Sequence, residues 1–247
     1  MEFNQYFALA TLAAVLIGMS KGGLPMVGMM SVPLLSLVMS PVKAAVLLLP
    51  LFVISDVVGV WLYRRNYSAI NLKILIPAGL VGVFLGWFTA SMIDEATIKF
   101  MIGFVGVSFC LQTWFKRSHS IEAATASIPK GSFWGLLAGF TSFIAHAGGP
   151  PFQIFVIPQK LPKAEFAGTA TILFAFINLS KVIPYQDLSP YSLEDLQQAA
   201  YLVPFALMGT FLGAYFTRRI ADAWFFKLVQ ASLFAVSLKL IWDAVKI

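Results

Sequence analysis

Gly139-Phe140-Thr141-Ser142-Phe143-Ile144-Ala145-His146-Ala147-Gly148-Gly149-Pro150-Pro151 interrupts an apolar run with a histidine, two glycines and two prolines. A bilayer core takes roughly 20 helical residues, and it tolerates irregular backbone only where protein or a water-filled cavity covers it. The apolar pieces on either side, 131–145 and 150–158, are each too short to span alone. The pair therefore reads as a broken or re-entrant hairpin. Gly18-Met19-Ser20-Lys21-Gly22-Gly23-Leu24-Pro25 repeats the device between pieces at 4–19 and 25–39.

Outward from these breaks the apolar runs lengthen. Stretches at 44–62, 72–92, 97–115, 162–185, 195–217 and 223–243 are each long enough for a spanning helix. The whole chain is 59% hydrophobic and 11% charged over 247 residues, where soluble domains carry about 25% charged residues. This composition needs a bilayer to cover it, and it predicts an all-α, polytopic membrane bundle. The apolar run at 7–19 reads as mature structure, because no basic segment precedes it and no small-residue cleavage pattern follows. Cys110 is the single cysteine, so an intrachain disulfide is impossible. It reads as a buried structural thiol.

Each half holds one broken hairpin and three full spans. We place a first repeat at 1–115, a linker at 116–130 and a second repeat at 131–247. Gly82-Val83-Phe84-Leu85-Gly86 answers Gly209-Thr210-Phe211-Leu212-Gly213 at an offset of 127, which also pairs Ile93 with Ile220 and Ala96 with Ala223. Glycines four apart commonly serve only helix packing. The repeated order of motifs, however, is a mark of transporter folds.

Five segments per half require the second half to be inverted, and basic residues should then change sides. The 63–73 loop carries Arg64, Arg65 and Lys73, whereas its counterpart at 186–195 carries Asp187, Glu194 and Asp195 and no base. Asp94 and Glu95, with only Lys99 as a base, in one following turn are answered by Arg218 and Arg219, with Asp222, in the other. With Lys116, Arg117, Lys130, Lys160 and Lys163 also inside, both termini face outward. The net charge of +6 thus reports orientation. It gives no support to a nucleic-acid partner.

Helix ends exposed by a break attract ions, and charged side chains at membrane depth are costly unless they face a cavity or a partner. Ser20, Lys21, Gly22 and Gly23 at the first break, and His146, Ala147, Gly148 and Gly149 at the second, are the candidate substrate-binding residues, with Gln153 just beyond. Lys21 either takes part in the site or extends to an interface. His146, with a side chain that titrates near neutrality, suits hydrogen bonding to an anion or carriage of a coupling proton. Asp56, the second candidate for ion coupling, and Lys181 lie in spans of opposite halves, and Asn178 shares a helical face with Lys181. These three form either a substrate or proton path, or a structural Asp56–Lys181 ion pair. Lys21, His146 and Lys181 make the site mostly positive, as a small anion requires. No cofactor or metal set is expected, and the oligomeric state is not specified.

The chain resembles the TauE/SafE sulfite exporter family, also called the toluene sulfonate uptake permease family. The resemblance rests on Ala145-His146-Ala147-Gly148-Gly149-Pro150-Pro151, Pro158-Gln159-Lys160-Leu161-Pro162, Phe166-Ala167-Gly168-Thr169, and Asn178 with Lys181, Pro184 and Tyr185. Ser20-Lys21-Gly22-Gly23 with Pro33 and Pro41 agrees, although many members carry a longer glycine-rich run there. It implies bacterial inner-membrane permeases that move sulfur-containing anions such as sulfite, thiosulfate, sulfoacetate or other organosulfonates, driven by ion gradients.

Overall fold

The computed structural model describes residues 3–25, 27–35, 38–39, 41–89, 95–115 and 123–245. Among them the regular structure is entirely helical: α1 (Phe3–Lys21), α2 (Ser31–Leu35), α3 (Pro41–Tyr63), α4 (Ala69–Thr89), α5 (Glu95–Phe115), α6 (Ile128–Ala145), α7 (Gly149–Val156), α8 (Lys163–Ser180), α9 (Val182–Leu188), α10 (Leu193–Arg219) and α11 (Asp222–Val245). Short 3-10 turns at Val27–Met30 and Ile157–Gln159 complete the set. By length and composition, α3, α4, α10 and α11 of the described residues are each able to cross a bilayer, and the bent pair α8–α9 is either a fifth, broken span or a re-entrant loop. The protein is a multi-pass membrane helix bundle.

Three expectations change. The piece after the first break is not one helix over 25–39; Val27–Met30 and the five residues of α2 take its place. The span expected over 162–185 is broken at Lys181, and its two parts meet at 40°. Pro184 explains the position of that break. Proline has no N–H to donate, and its ring clashes with the carbonyl four residues earlier, which is Ser180. The Ser180 hydroxyl also donates back to the Ile177 carbonyl at 2.8 Å, a contact that bends helices. Third, α6 already begins at Ile128, with Pro129 in its first turn, so Lys130 belongs to a helix and not to the linker. Residues 116–122, which include Lys116 and Arg117, lie outside the described residues, as do Ile93, Asp94 and Lys246.

The helices form two compact units. One comprises Met1–Ser68 and Ala164–Ala221, the other Ala69–Lys163 and Asp222–Ile247. Both draw on each half of the sequence. In the first unit α1 and α10 cross at backbone contact: a Cβ on Gly18 would lie 1.8 Å from the Ala206 carbonyl oxygen, and one on Gly209 2.3 Å from that of Val15. In the second unit α4 and α6 do the same, with a Cβ on Gly82 placed 2.1 Å from the Leu136 carbonyl and one on Gly139 1.9 Å from that of Gly79. In membranes, where helix association gains little from the hydrophobic effect, such close approach supplies the packing energy. α4 and α10 also carry internal prolines at equivalent places, Pro77 and Pro204.

Core packing differs between the units. In the first, Ala10, Ala13, Ala14 and Ile17 of α1 cluster with Leu47, Leu48, Leu51 and Phe52 of α3 and Ala199, Leu202 and Ala206 of α10. In the second, α5 lies along α11: Gly103 and Gly106 abut Ser237, and the Trp114 and Phe234 rings are 5.0 Å apart. Cys110 is buried on this contact, as expected, with its sulfur 3.7 Å from the Gln230 carbonyl.

Candidate functional site

The first break lies in the first unit. α1 ends at Lys21, and Gly23 follows with φ +113, a conformation open to glycine at little cost. No larger residue fits. A Cβ there would lie 2.2 Å from the Tyr63 hydroxyl and 2.7 Å from Oγ1 of Thr217. Tyr63, on the last turn of α3, donates its hydroxyl hydrogen to the Gly22 carbonyl at 2.6 Å. This bond satisfies one of the acceptors that a helix C-terminus leaves open.

From that latch the Lys21 side chain turns into the unit. Its Nζ lies 2.8 Å from Oδ1 of Asp56, and both side chains are almost wholly buried. The rings of Phe52 and Phe174 flank the ammonium at 5.2 and 5.8 Å, distances that allow a cation–π contribution. The second carboxylate oxygen of Asp56 accepts from Nδ2 of Asn178 at 2.8 Å, and Oδ1 of Asn178 accepts from Nζ of Lys181 at 3.3 Å. Thr171 closes the group by donating to the Lys21 carbonyl at 3.3 Å.

Helical spacing explains why these residues meet. Phe52, Asp56, Gly59 and Tyr63 recur at intervals of three or four on α3, as do Thr171, Phe174, Asn178 and Lys181 along α8 and into the α9 junction. Gly59 lets the faces touch, since a Cβ there would meet Thr171 Cγ2 at 2.7 Å and the Lys21 carbonyl at 2.8 Å. Lys181, at 0% exposure, stands at the bend between α8 and α9.

The ion pair is therefore Lys21–Asp56, in place of the Asp56–Lys181 pair considered from sequence, and Lys181 reaches Asp56 through Asn178. Four of the candidate residues, Lys21, Asp56, Asn178 and Lys181, form one hydrogen-bonded chain. Gly22 and Gly23 shape its edge. Ser20 instead donates to the Ile17 carbonyl at 2.6 Å within its own helix. Tyr63, Gly59, Thr171 and Phe174 escaped the sequence reading, though counting in steps of three and four from Asp56 and Asn178 reaches all of them.

The second break lies in the other unit. His146 caps α6 in the left-handed conformation, φ 49, a region where histidine is several-fold enriched among non-glycine residues. Its N–H donates to the Ser142 carbonyl, and the Ala147 N–H to that of Thr141, each at 3.1 Å. Thr141 returns a bond from its hydroxyl to the Ala147 carbonyl at 3.0 Å. Gly148, Gly149 and Gln153 are buried, Gln153 on α7. Further along, Asn71 and Gln159 exchange two amide bonds of 2.8 and 3.1 Å, which fastens the 3-10 turn Ile157–Gln159 to α4.

Broken helices, an all-helical membrane bundle and ionisable side chains buried at a helix end are marks of the membrane-transport class. The sulfite exporter TauE/SafE family model matches residues 9–240, and the chain belongs to that family, whose members are membrane transporters. Comparison with curated proteins and with solved structures gave no match.

Proposed function

We propose that the protein is a secondary transporter of the inner membrane that moves small sulfur-containing anions, such as sulfite, thiosulfate, sulfoacetate or other organosulfonates, by alternating access. The observation that carries this reading is the charge balance of the buried cluster. Lys21 and Lys181 bring two ammonium groups to one carboxylate, Asp56. Basic side chains buried at membrane depth are costly unless they meet a partner or face a substrate path. A sulfonate or sulfite oxygen placed near Lys21 and Lys181 would accept hydrogen bonds from both.

In this reading Lys21, Asn178 and Lys181 bind the anion, and Asp56 holds Lys21 in place. Protonation of Asp56 would loosen its grip on Lys21, which links a proton to the anion site. His146 at the second break is the other proton-carrying candidate, with Gly148, Gly149 and Gln153 beside it. The two sequence repeats are inverted, both termini face outward, and the breaks supply the mobile backbone.

A thermal-shift panel on purified protein with sulfite, thiosulfate, sulfoacetate, taurine, sulfate and carboxylate controls tests the substrate class. Stabilisation is expected from sulfur oxyanions and is expected to vanish in Lys21→Ala. A response confined to carboxylates or cations would overturn the assignment. Uptake into liposomes with and without an imposed proton gradient then separates coupled transport from passive flow.

A further inference from the structure

A second basic cluster stands at the ends of α3 and α10, apart from the buried ion pair. Trp61, Leu62, Arg64, Arg65, Asn66 and Arg218 line a concave pocket of about 250 Å³ within the first unit. Three arginines from two chain segments, 153 residues apart at their closest in sequence, line one cavity. Among the described residues none of them forms an ion pair with a carboxylate. Basic residues at helix C-termini are ordinary in themselves, because they oppose the helix dipole. Dipole pairing does not require them to converge on a cavity or to share it with an indole.

Arg64 is held in place. It donates to the Trp61 carbonyl at 2.6 Å, and its guanidinium lies 4.8 Å from the centre of the Trp61 ring. Trp61, in the lining, is 59% exposed, and Tyr215 and Phe216, three and two residues before Arg218 on α10, are exposed as well, Tyr215 at 53%. Aromatic side chains of this kind collect at the membrane–water interface, at the depth of lipid headgroups. Arginine forks match the geometry of phosphate oxygens, and basic pockets at the ends of membrane helices suit anionic headgroups.

We propose that Arg64, Arg65 and Arg218, with Asn66, form a binding site for a phosphate group, and that its ligand is the headgroup of an anionic phospholipid seated against Trp61. The site does not depend on the transport reading. A protein that moved no anion would still hold the lipid.

The test uses the full-length protein in detergent, titrated with phosphatidylglycerol, with phosphatidylcholine or with inorganic phosphate, while unfolding temperature and lipid retention by native mass spectrometry are followed. Phosphatidylglycerol should raise the unfolding temperature and remain bound, and phosphatidylcholine should do neither. Arg64→Gln/Arg65→Gln/Arg218→Gln should weaken retention at least tenfold. The same substitutions to lysine, which keep the charge and fold but lose the forked donors, should weaken it less. Lys130→Gln, which removes an exposed charge from the other unit, should have no effect. Equal retention of both lipids, or unchanged retention in the glutamine variant, would overturn the site. Inorganic phosphate as effective as the lipid would overturn the headgroup as its ligand. Loss of sulfur-anion stabilisation, by contrast, would count against the transport reading alone.

Discussion

Both units bring a helix with glycines four residues apart onto the helix that runs into a break, yet among the described residues only one of them buries lysine and aspartate side chains. In the first, α10 meets α1, and Lys21, Asp56 and Lys181 are buried nearby. In the second, α4 meets α6 at equally close range, and the buried polar side chains among the described residues are Asn71, Thr141, Ser142, His146, Gln153, Gln159 and Ser237. Among the described residues, the same packing is thus achieved without burying a lysine–aspartate pair. Buried ions are weak evidence for stability, since apolar replacements often pack as well or better. The buried charges of the first unit therefore call for a role other than packing, and the anion binding proposed above is one that experiment can test.

Removing one partner of the buried pair should break this contrast most sharply. Lys21→Ala leaves the Asp56 carboxylate buried without its cation and should cost about 3–5 kcal/mol. The double variant Lys21→Ala/Asp56→Asn should recover most of that loss while remaining unresponsive to sulfur oxyanions. Thermal unfolding with and without the anion measures both effects, and the double-mutant comparison isolates the coupling. Equal stability of the single variant and the parent would show that the pair is not formed in the folded protein.

The glycine crossings should respond alike in the two units. Gly18→Val and Gly139→Val each force a side chain onto a carbonyl of the facing helix, and overpacking of this kind costs about 1–3 kcal/mol or more. A tolerated substitution in one unit and not the other would end the parallel between them. Gln159→Leu sharpens it from the other side. It removes both amide bonds to Asn71 and should cost about 1–3 kcal/mol. The anion response should nevertheless persist, because that pair is neutral.

Much of this arrangement was visible in the sequence, for reasons that also mark where it stopped. Long apolar runs declared α3, α4, α10 and α11 because the bilayer sets their length. Lys21, Asp56, Asn178 and Lys181 stood out singly because ionised or amide groups in apolar runs are costly. Their pairing did not follow: Lys21 is 35 residues from Asp56 and Lys181 is 125, and only the packing of α1 against α3 decides between them. The break at Lys181 was missed for a different reason. The run over 162–185 is apolar enough to read as one span in spite of Asn178, Ser180 and Lys181, and the local signal was Pro184 acting on a carbonyl one turn back. The composition of the two units was hidden as well, since each joins elements from both halves of the chain, and no local pattern encodes such pairing.

The smallest expected effect compares the two breaks directly. Both pass through a left-handed residue, but Gly23 does so with the residue type suited to it and His146 does not. A non-glycine residue held there stores on the order of 1–2 kcal/mol, while glycine at any ordered site loses roughly 0.5–1 kcal/mol of extra backbone entropy. His146→Gly should therefore leave stability within about 1 kcal/mol of the parent. His146→Ala keeps the strain and loses the imidazole, and it should unfold at a lower temperature than the glycine variant. An alanine variant as stable as the glycine one would mean that the left-handed turn is not what fixes this position. If the glycine variant keeps its stability but loses proton-dependent anion uptake, the imidazole is retained for chemistry despite its backbone strain. The second break would then differ from the first in carrying its ionisable group on the left-handed residue itself, whereas Lys21 stands two residues before Gly23 and reaches Asp56.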